Sequence, residues 1–221
     1  MSYNFDAFRT KYPSMTFAEK KAFYNEQELL YPDQSHWNKE LTYEFFINVQ
    51  HADCDMSVLE FGGWKGSTAN AVIPEFDVQD YGMILCWDNY DICDACIPKT
   101  ECNESVYNVQ IINDYIWNTG FHKKIYNVFY AVHAIEHIDN EELEKLINTI
   151  PESVDWIYLE SPLRDDVCDW TGRNNAHVLT YGWNKVIDLL KKKGYDMNFS
   201  RDDVKWFIKH SMFRGAIDME S

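Results

Sequence analysis

Residues 59–69 read LEFGGWKGSTA, and the spacing of their glycines decides between three kinds of ligand-approaching loop. A dinucleotide fingerprint needs glycine at the first, third and sixth positions, and starting from Gly62 or Gly63 puts Trp64 or Lys65 where the second glycine belongs. A phosphate-cradling loop needs Gly-Lys-Ser/Thr in that order, whereas here Lys65 precedes Gly66, Ser67 and Thr68. What remains is an acid, Glu60, then one spacer, Gly62, three spacers and Gly66. Apolar Val58 and Leu59 come before it and a helix-compatible Ser-Thr-Ala-Asn-Ala follows.

Working outward, apolar runs alternate with helical periods. Ser57–Phe61, Gly82–Asp88, Val106–Asn113, Asn127–Val132 and the run VDWIYLE (154–160) read as strands. Ser67–Ile73 reads as a short helix ended by Pro74. Asn140 is the expected N-cap of a helix with Leu143, Leu146, Ile147 and Ile150 on one face and Glu141, Glu142 and Glu144 near its positive end. A later helix places Trp183, Val186, Ile187 and Leu190 together and stops at Gly194. Strand and helix in alternation imply right-handed parallel crossovers, hence an α/β, doubly wound, mostly parallel sheet.

Composition bounds the rest. The chain has 221 residues, 46% of them hydrophobic, enough for one good core. Residues 51–221 form the expected main domain. Residues 1–50, dense in aromatics interleaved with charges, are expected to be a helical segment packed on it or a lid over its pocket. A formal net charge of −16 repels nucleic-acid phosphates and anionic lipid, so neither nucleic acid nor membrane is the expected partner. No apolar run approaches the roughly 20 residues of a membrane span, and MSYNFDAFRTKYP lacks the charged-then-apolar pattern of a secretion signal. The expected location is cytoplasmic. The six cysteines then read as reduced thiols. Cys93 and Cys96 have the spacing of one half of a zinc knuckle, but no second close pair accompanies them, so no metal is expected.

In such a sheet, ligands bind at the carboxyl ends of the strands, near the switch in strand order. After the first strand come Glu60, Gly62, Gly63, Trp64 and Gly66. After the second comes Asp88, about twenty residues beyond Gly66, the distance at which an acid accepts hydrogen bonds from ribose hydroxyls. Asp114 follows the third strand, with Tyr115 and Trp117 as an aromatic surface. After the fourth comes HAIEHI, with His133, Glu136 and His137. His133 and His137 are the candidate catalytic bases, each weighed against a role in shaping the loop, and His177 is a third candidate. His36 and Trp37 can reach a pocket only if the front segment folds over it. The long stretch SPLRDDVCDWTGRNNAHVL (161–179) is an expected pocket wall.

The segments VLEFGGWKG, ILCWDNY, IIND and VFYAVHAIEHI, in this order, resemble the motifs of class I S-adenosylmethionine-dependent methyltransferases. The last is similar to the strand-four motif of the small-molecule branch related to ubiquinone and menaquinone biosynthesis. The resemblance covers roughly residues 55–210. It implies a Rossmann-like fold and S-adenosyl-L-methionine as cofactor, with Glu60, Gly62, Gly63, Trp64 and Gly66 about its methionine portion. Asp88 and Asn89 would hold the ribose, Asp114 and Tyr115 the adenine. It further implies methyl transfer to a small-molecule acceptor. The family usually has glycine where this chain has Trp64, which keeps open a non-catalytic member that binds cofactor or partner without turnover. Oligomeric state is left open by the sequence.

Overall fold

A computed structural model describes residues 3–30, 37–52, 55–64, 66–76, 83–94, 106–121 and 124–210. Its strands are β1 (Met56–Phe61), β2 (Ile84–Asp91), β3 (Tyr107–Ile111), β4 (Val128–Val132), β5 (Trp156–Glu160), β6 (Tyr195–Arg201) and β7 (Val204–Lys209). The helices are α1 (Phe5–Lys11), α2 (Phe17–Leu30), α3 (Lys39–His51), α4 (Ser67–Val72), α5 (Ile116–Thr119), α6 (Asn140–Thr149) and α7 (Trp183–Lys192). The strands form one sheet in the order β3-β2-β1-β4-β5-β7-β6, parallel except where β7 runs against both β5 and β6. Strand order reverses between β1 and β4, which opens a crevice at their carboxyl ends.

Period-two alternation feeds two cores. On one face Phe129, Ala131, Ile157 and Leu159 pack under Leu143, Leu146 and Ile147 of α6 and Val186 and Leu190 of α7. On the other, Val58, Trp87, Val128, Tyr130 and Tyr158 pack under Leu41, Phe45, Phe46 and Val49 of α3 and Ala69 and Val72 of α4. The Thr42 hydroxyl bridges the buried Tyr130 and Tyr158 hydroxyls at 3.0 and 3.2 Å, satisfying the polar groups that these aromatics bring into the core.

The front segment divides between two tasks. Helix α3 belongs to the sheet's second layer, whereas α1 and α2 make a separate cluster in which Phe5, Phe8, Tyr12 and Phe23 pack on Ala176 and Val178. Arg9 fastens α1 by donating to the backbone carbonyls of His177, Arg173 and Asn175. Lys20 of α2 makes a buried ion pair with Glu142 of α6 at 2.7 Å and lies 4.0 Å from the Tyr12 ring centre. No helix among the described residues is long and apolar enough to cross a membrane.

Two local expectations change, and one hairpin is new. Strand β2 runs on to Asp91 rather than stopping at Asp88, because its ladder with β1 and β3 continues through Asn89, Tyr90 and Asp91. Asp139, not Asn140, caps α6: its carboxylate accepts from the Glu142 N–H while the Glu142 side chain accepts from the Asp139 N–H, a reciprocal box. The chain beyond Gly194 forms the β6–β7 hairpin, turning at Asp202 in a left-handed conformation. Lys65, His36, Cys96 and Cys102 lie outside the described residues.

Candidate functional site

A cavity of about 420 Å³ opens at the carboxyl ends of β1, β2 and β4, roofed by α1 and α2. Its first wall is the glycine loop. Gly62 and Trp64 line the cavity; Gly63 and Gly66 do not. Gly62 and Gly66 take left-handed conformations, which glycine adopts without steric cost. At Gly63 the demand is space, since a Cβ would sit 2.2 Å from the Glu60 carboxyl carbon.

Glu60 itself lies beneath the loop, fully buried, accepting a hydrogen bond from the Trp87 indole at 2.7 Å. Burial pushes its carboxyl up to about 8, against the pull of the indole hydrogen bond and with help from the Asp91 charge. Asn89 clamps the same loop: its side-chain oxygen accepts from the Gly63 N–H, and its amide donates to the Trp64 carbonyl and the Tyr107 hydroxyl. Glu60 and Asn89 thus shape the loop from below rather than face the cavity.

Asp88, expected at the end of β2, is corrected by the ladder. It sits within the strand, fully buried, off the cavity, with its carboxylate held by Lys124 and Tyr126. The acid at the carboxyl end is Asp91, which lines the cavity and accepts from the Trp64 and Cys93 backbone N–H groups at 2.9 and 2.8 Å. The Trp64 bond holds that residue at φ 50°, a conformation that costs a non-glycine residue roughly 1–2 kcal/mol. The signal for Asp91 was its place just before Ile92 and Cys93, at the end of the run that the sequence reading cut short. Asp114 does not line the cavity; its carboxylate accepts from the Tyr115 N–H and from Asn118, opening α5. Tyr115 does line it, its ring stacked on Trp117 at 4.7 Å and 15°.

The opposite wall is built after β4. His133 takes φ 48° and pairs with Glu136 at 3.1 Å and Glu160 at 3.6 Å. Burial alone would lower its proton affinity, but the hydrogen bonds and charges of the two carboxylates outweigh it and push its pKa up to about 10. Glu136 answers in the opposite direction: burial would raise it, and the His133 hydrogen bond holds it below the usual carboxylate range. The two carboxylates thus favour the protonated ring of His133, which weighs against its expected role as a base. His137 is held neutral by burial, and the same cause pushes His177 down to about 4. Their rings meet edge to face at 5.0 Å. His137 is positioned by Tyr24, which donates to its carbonyl at 2.7 Å. Glu136, Tyr24 and Lys20 on this wall carry no sequence signal as a group; packing of α2 on α6 assembles them.

Among solved structures, the chain is similar to magnesium protoporphyrin IX methyltransferase from Synechocystis PCC 6803, solved with bound SAH. The TM-score is 0.59 at 9% identity, over 86% of this chain and 99% of that one. It is also similar to a SAM-dependent methyltransferase from Archaeoglobus fulgidus, with a TM-score of 0.52 at 18% identity over 78% of this chain and 77% of that one. The fold is that of Rossmann-like methyltransferases. The same methyltransferase fold appears in small RNA methyltransferase HEN1, with a TM-score of 0.53 at 13% identity over 80% of this chain and 26% of that one. Acceptors as different as a porphyrin and an RNA are thus named among proteins sharing the fold. No protein-family model and no curated protein matches the chain.

Proposed function

We propose that this protein is an S-adenosylmethionine-dependent methyltransferase acting on a small molecule. The observation that carries the reading is the order of groups along one cavity wall: Gly62 and Trp64 after β1, Asp91 at the end of β2, and the Tyr115–Trp117 stack after β3. A loop backbone, a carboxylate and an aromatic surface, in that order, fit an amino-acid portion, a ribose diol and an adenine. Asp91 takes the ribose role that the sequence reading gave to Asp88. Glu60, Asn89 and Gly63 support the loop, and Asp114 sets the start of α5.

When bound, S-adenosylmethionine supplies a methyl group activated on a sulfonium. The protein's part is chiefly to orient an acceptor in line with that methyl and to keep water out, and the α1–α2 roof does both. His137, neutral and on the acceptor wall, can take a proton from a hydroxyl acceptor; a protonated His133 can hold an acceptor's negative charge. A roofed, aromatic-walled cavity in a chain of net charge −16 favours a small molecule over nucleic acid.

Calorimetric titration with S-adenosylhomocysteine tests the cofactor. Micromolar binding that Asp91→Asn weakens about thirtyfold supports the assignment, and undetectable binding at millimolar ligand refutes it. Trp64 favours a second reading, a member that binds cofactor without turnover, because it lines the cavity where the family usually has glycine. Tight cofactor binding with no isotope transfer to any of a broad panel of acceptors would select that reading.

A further inference from the structure

The acceptor wall holds a group of side chains that methyl transfer does not require. Glu136 and His137, in the short turn after β4, and His177, from the long segment after β5, each bring one ligand atom within 4.8 Å of the others. All three border the cavity. Their backbones are tied together: the Glu136 carbonyl accepts the N–H groups of Val178 and Leu179, which lays the 177–179 stretch beside the turn. Arg9 and Tyr24 fasten the carbonyls of His177 and His137 from the roof.

The second observation is an unmet demand. Nδ1 of His137 and Nδ1 of His177 are both buried with no hydrogen-bond partner, where buried polar atoms are ordinarily satisfied. A neutral imidazole carries a lone pair on one of its two ring nitrogens, so each ring can offer an unprotonated nitrogen to a ligand. The Glu136 carboxylate already accepts from Ser161 at 2.8 Å and contacts His133, and a carboxylate has capacity for a further ligand. Two orphaned imidazole lone pairs beside an oriented carboxylate form the donor set of a transition-metal ion.

We propose that Glu136, His137 and His177 bind one divalent transition-metal ion at the cavity wall. Two nitrogens and one oxygen suit Zn²⁺, Co²⁺, Fe²⁺ or Mn²⁺, while Mg²⁺ and Ca²⁺ prefer an all-oxygen shell. Three protein ligands leave a position open for an outside oxygen, and all three residues line the cavity. Resting on the methyltransferase reading, an ion held here would replace His137 as the group that handles the acceptor's proton, by binding an acceptor oxygen and lowering its pKa, so the acceptor class is a molecule with a hydroxyl or carboxylate beside the methylated atom.

Binding of Co²⁺ alone to chelator-treated full-length protein tests the site without cofactor or acceptor. The expected result is one ion per chain at micromolar affinity, a visible d–d spectrum without the near-ultraviolet thiolate band, and at least tenfold weaker binding in both His137→Asn and His177→Asn. The exposed His51→Asn is the control and leaves binding unchanged, and circular dichroism establishes that each variant is folded. No saturation at millimolar Co²⁺, a thiolate band, or affinity unchanged in both cavity variants overturns the proposal. S-adenosylhomocysteine titrated separately reports on the methyltransferase reading, so either can fail while the other stands.

Discussion

The two walls of the cavity solve opposite problems. On the glycine-loop side Asn89 grips two backbone groups of the loop, Glu60 is held by Trp87, and Asp91 takes two backbone N–H groups. On the acceptor side His133 is locked between two carboxylates, yet His137 and His177 keep a buried nitrogen without a partner. A wall whose hydrogen bonds close on themselves sets a shape. A wall with orphaned lone pairs sets a chemistry, because an unmet buried polar atom costs about 1–3 kcal/mol unless a ligand meets it.

The interlocked wall breaks most sharply at Gly63. Gly63→Ala drives a Cβ into the buried Glu60 carboxyl and is expected to cost about 3 kcal/mol, read as a lower urea midpoint. Asp91→Asn and Asp88→Asn separate binding from support. The first is expected to weaken S-adenosylhomocysteine about thirtyfold, roughly 2 kcal/mol, with little change in unfolding. The second shifts the unfolding midpoint, because Lys124 and Tyr126 lose a charged partner, and leaves affinity within about threefold. Equal affinities in the two variants would erase the distinction drawn between them.

Glu60 supplies a pH signature. Its folded-state proton affinity lies above that of the unfolded chain, with a pKa of about 8, so the neutral form stabilises the fold. That contribution is complete below the ordinary carboxylate range and is lost as pH rises toward 8. Glu60→Gln keeps an acceptor for the Trp87 indole and is expected to flatten the fall in the urea midpoint between pH 5 and pH 8 by an amount on the order of 1–2 kcal/mol. An unchanged slope would place that pH dependence elsewhere.

The smallest effect is expected at the roof. Arg9→Ala removes donors to three backbone carbonyls and should cost about 1 kcal/mol while raising hydrogen exchange in residues 173–178. Exchange there unchanged would mean that the aromatic cluster of Phe5, Phe8, Tyr12 and Phe23 alone holds α1 down.

Local pattern carried the sheet. The β-rich runs, the amphipathic α6 and α7, and the loop glycines are visible because burial repeats every two or every 3.6 residues and because positive φ selects glycine. The same pattern placed the ligand-facing end of the sheet. It ended β2 at Asp88 rather than Asp91, since a strand's last residues are set by pairing with neighbours distant in sequence, and it missed the β6–β7 hairpin, whose exposed face weakens the apolar signal. Only the tertiary structure could put His177 against His137, place His133 between Glu136 and Glu160, and split the front segment into a roof and a core helix. Periodicity is a property of neighbours along the chain; proton affinity and the gathering of Glu136, His137 and His177 belong to neighbours in space.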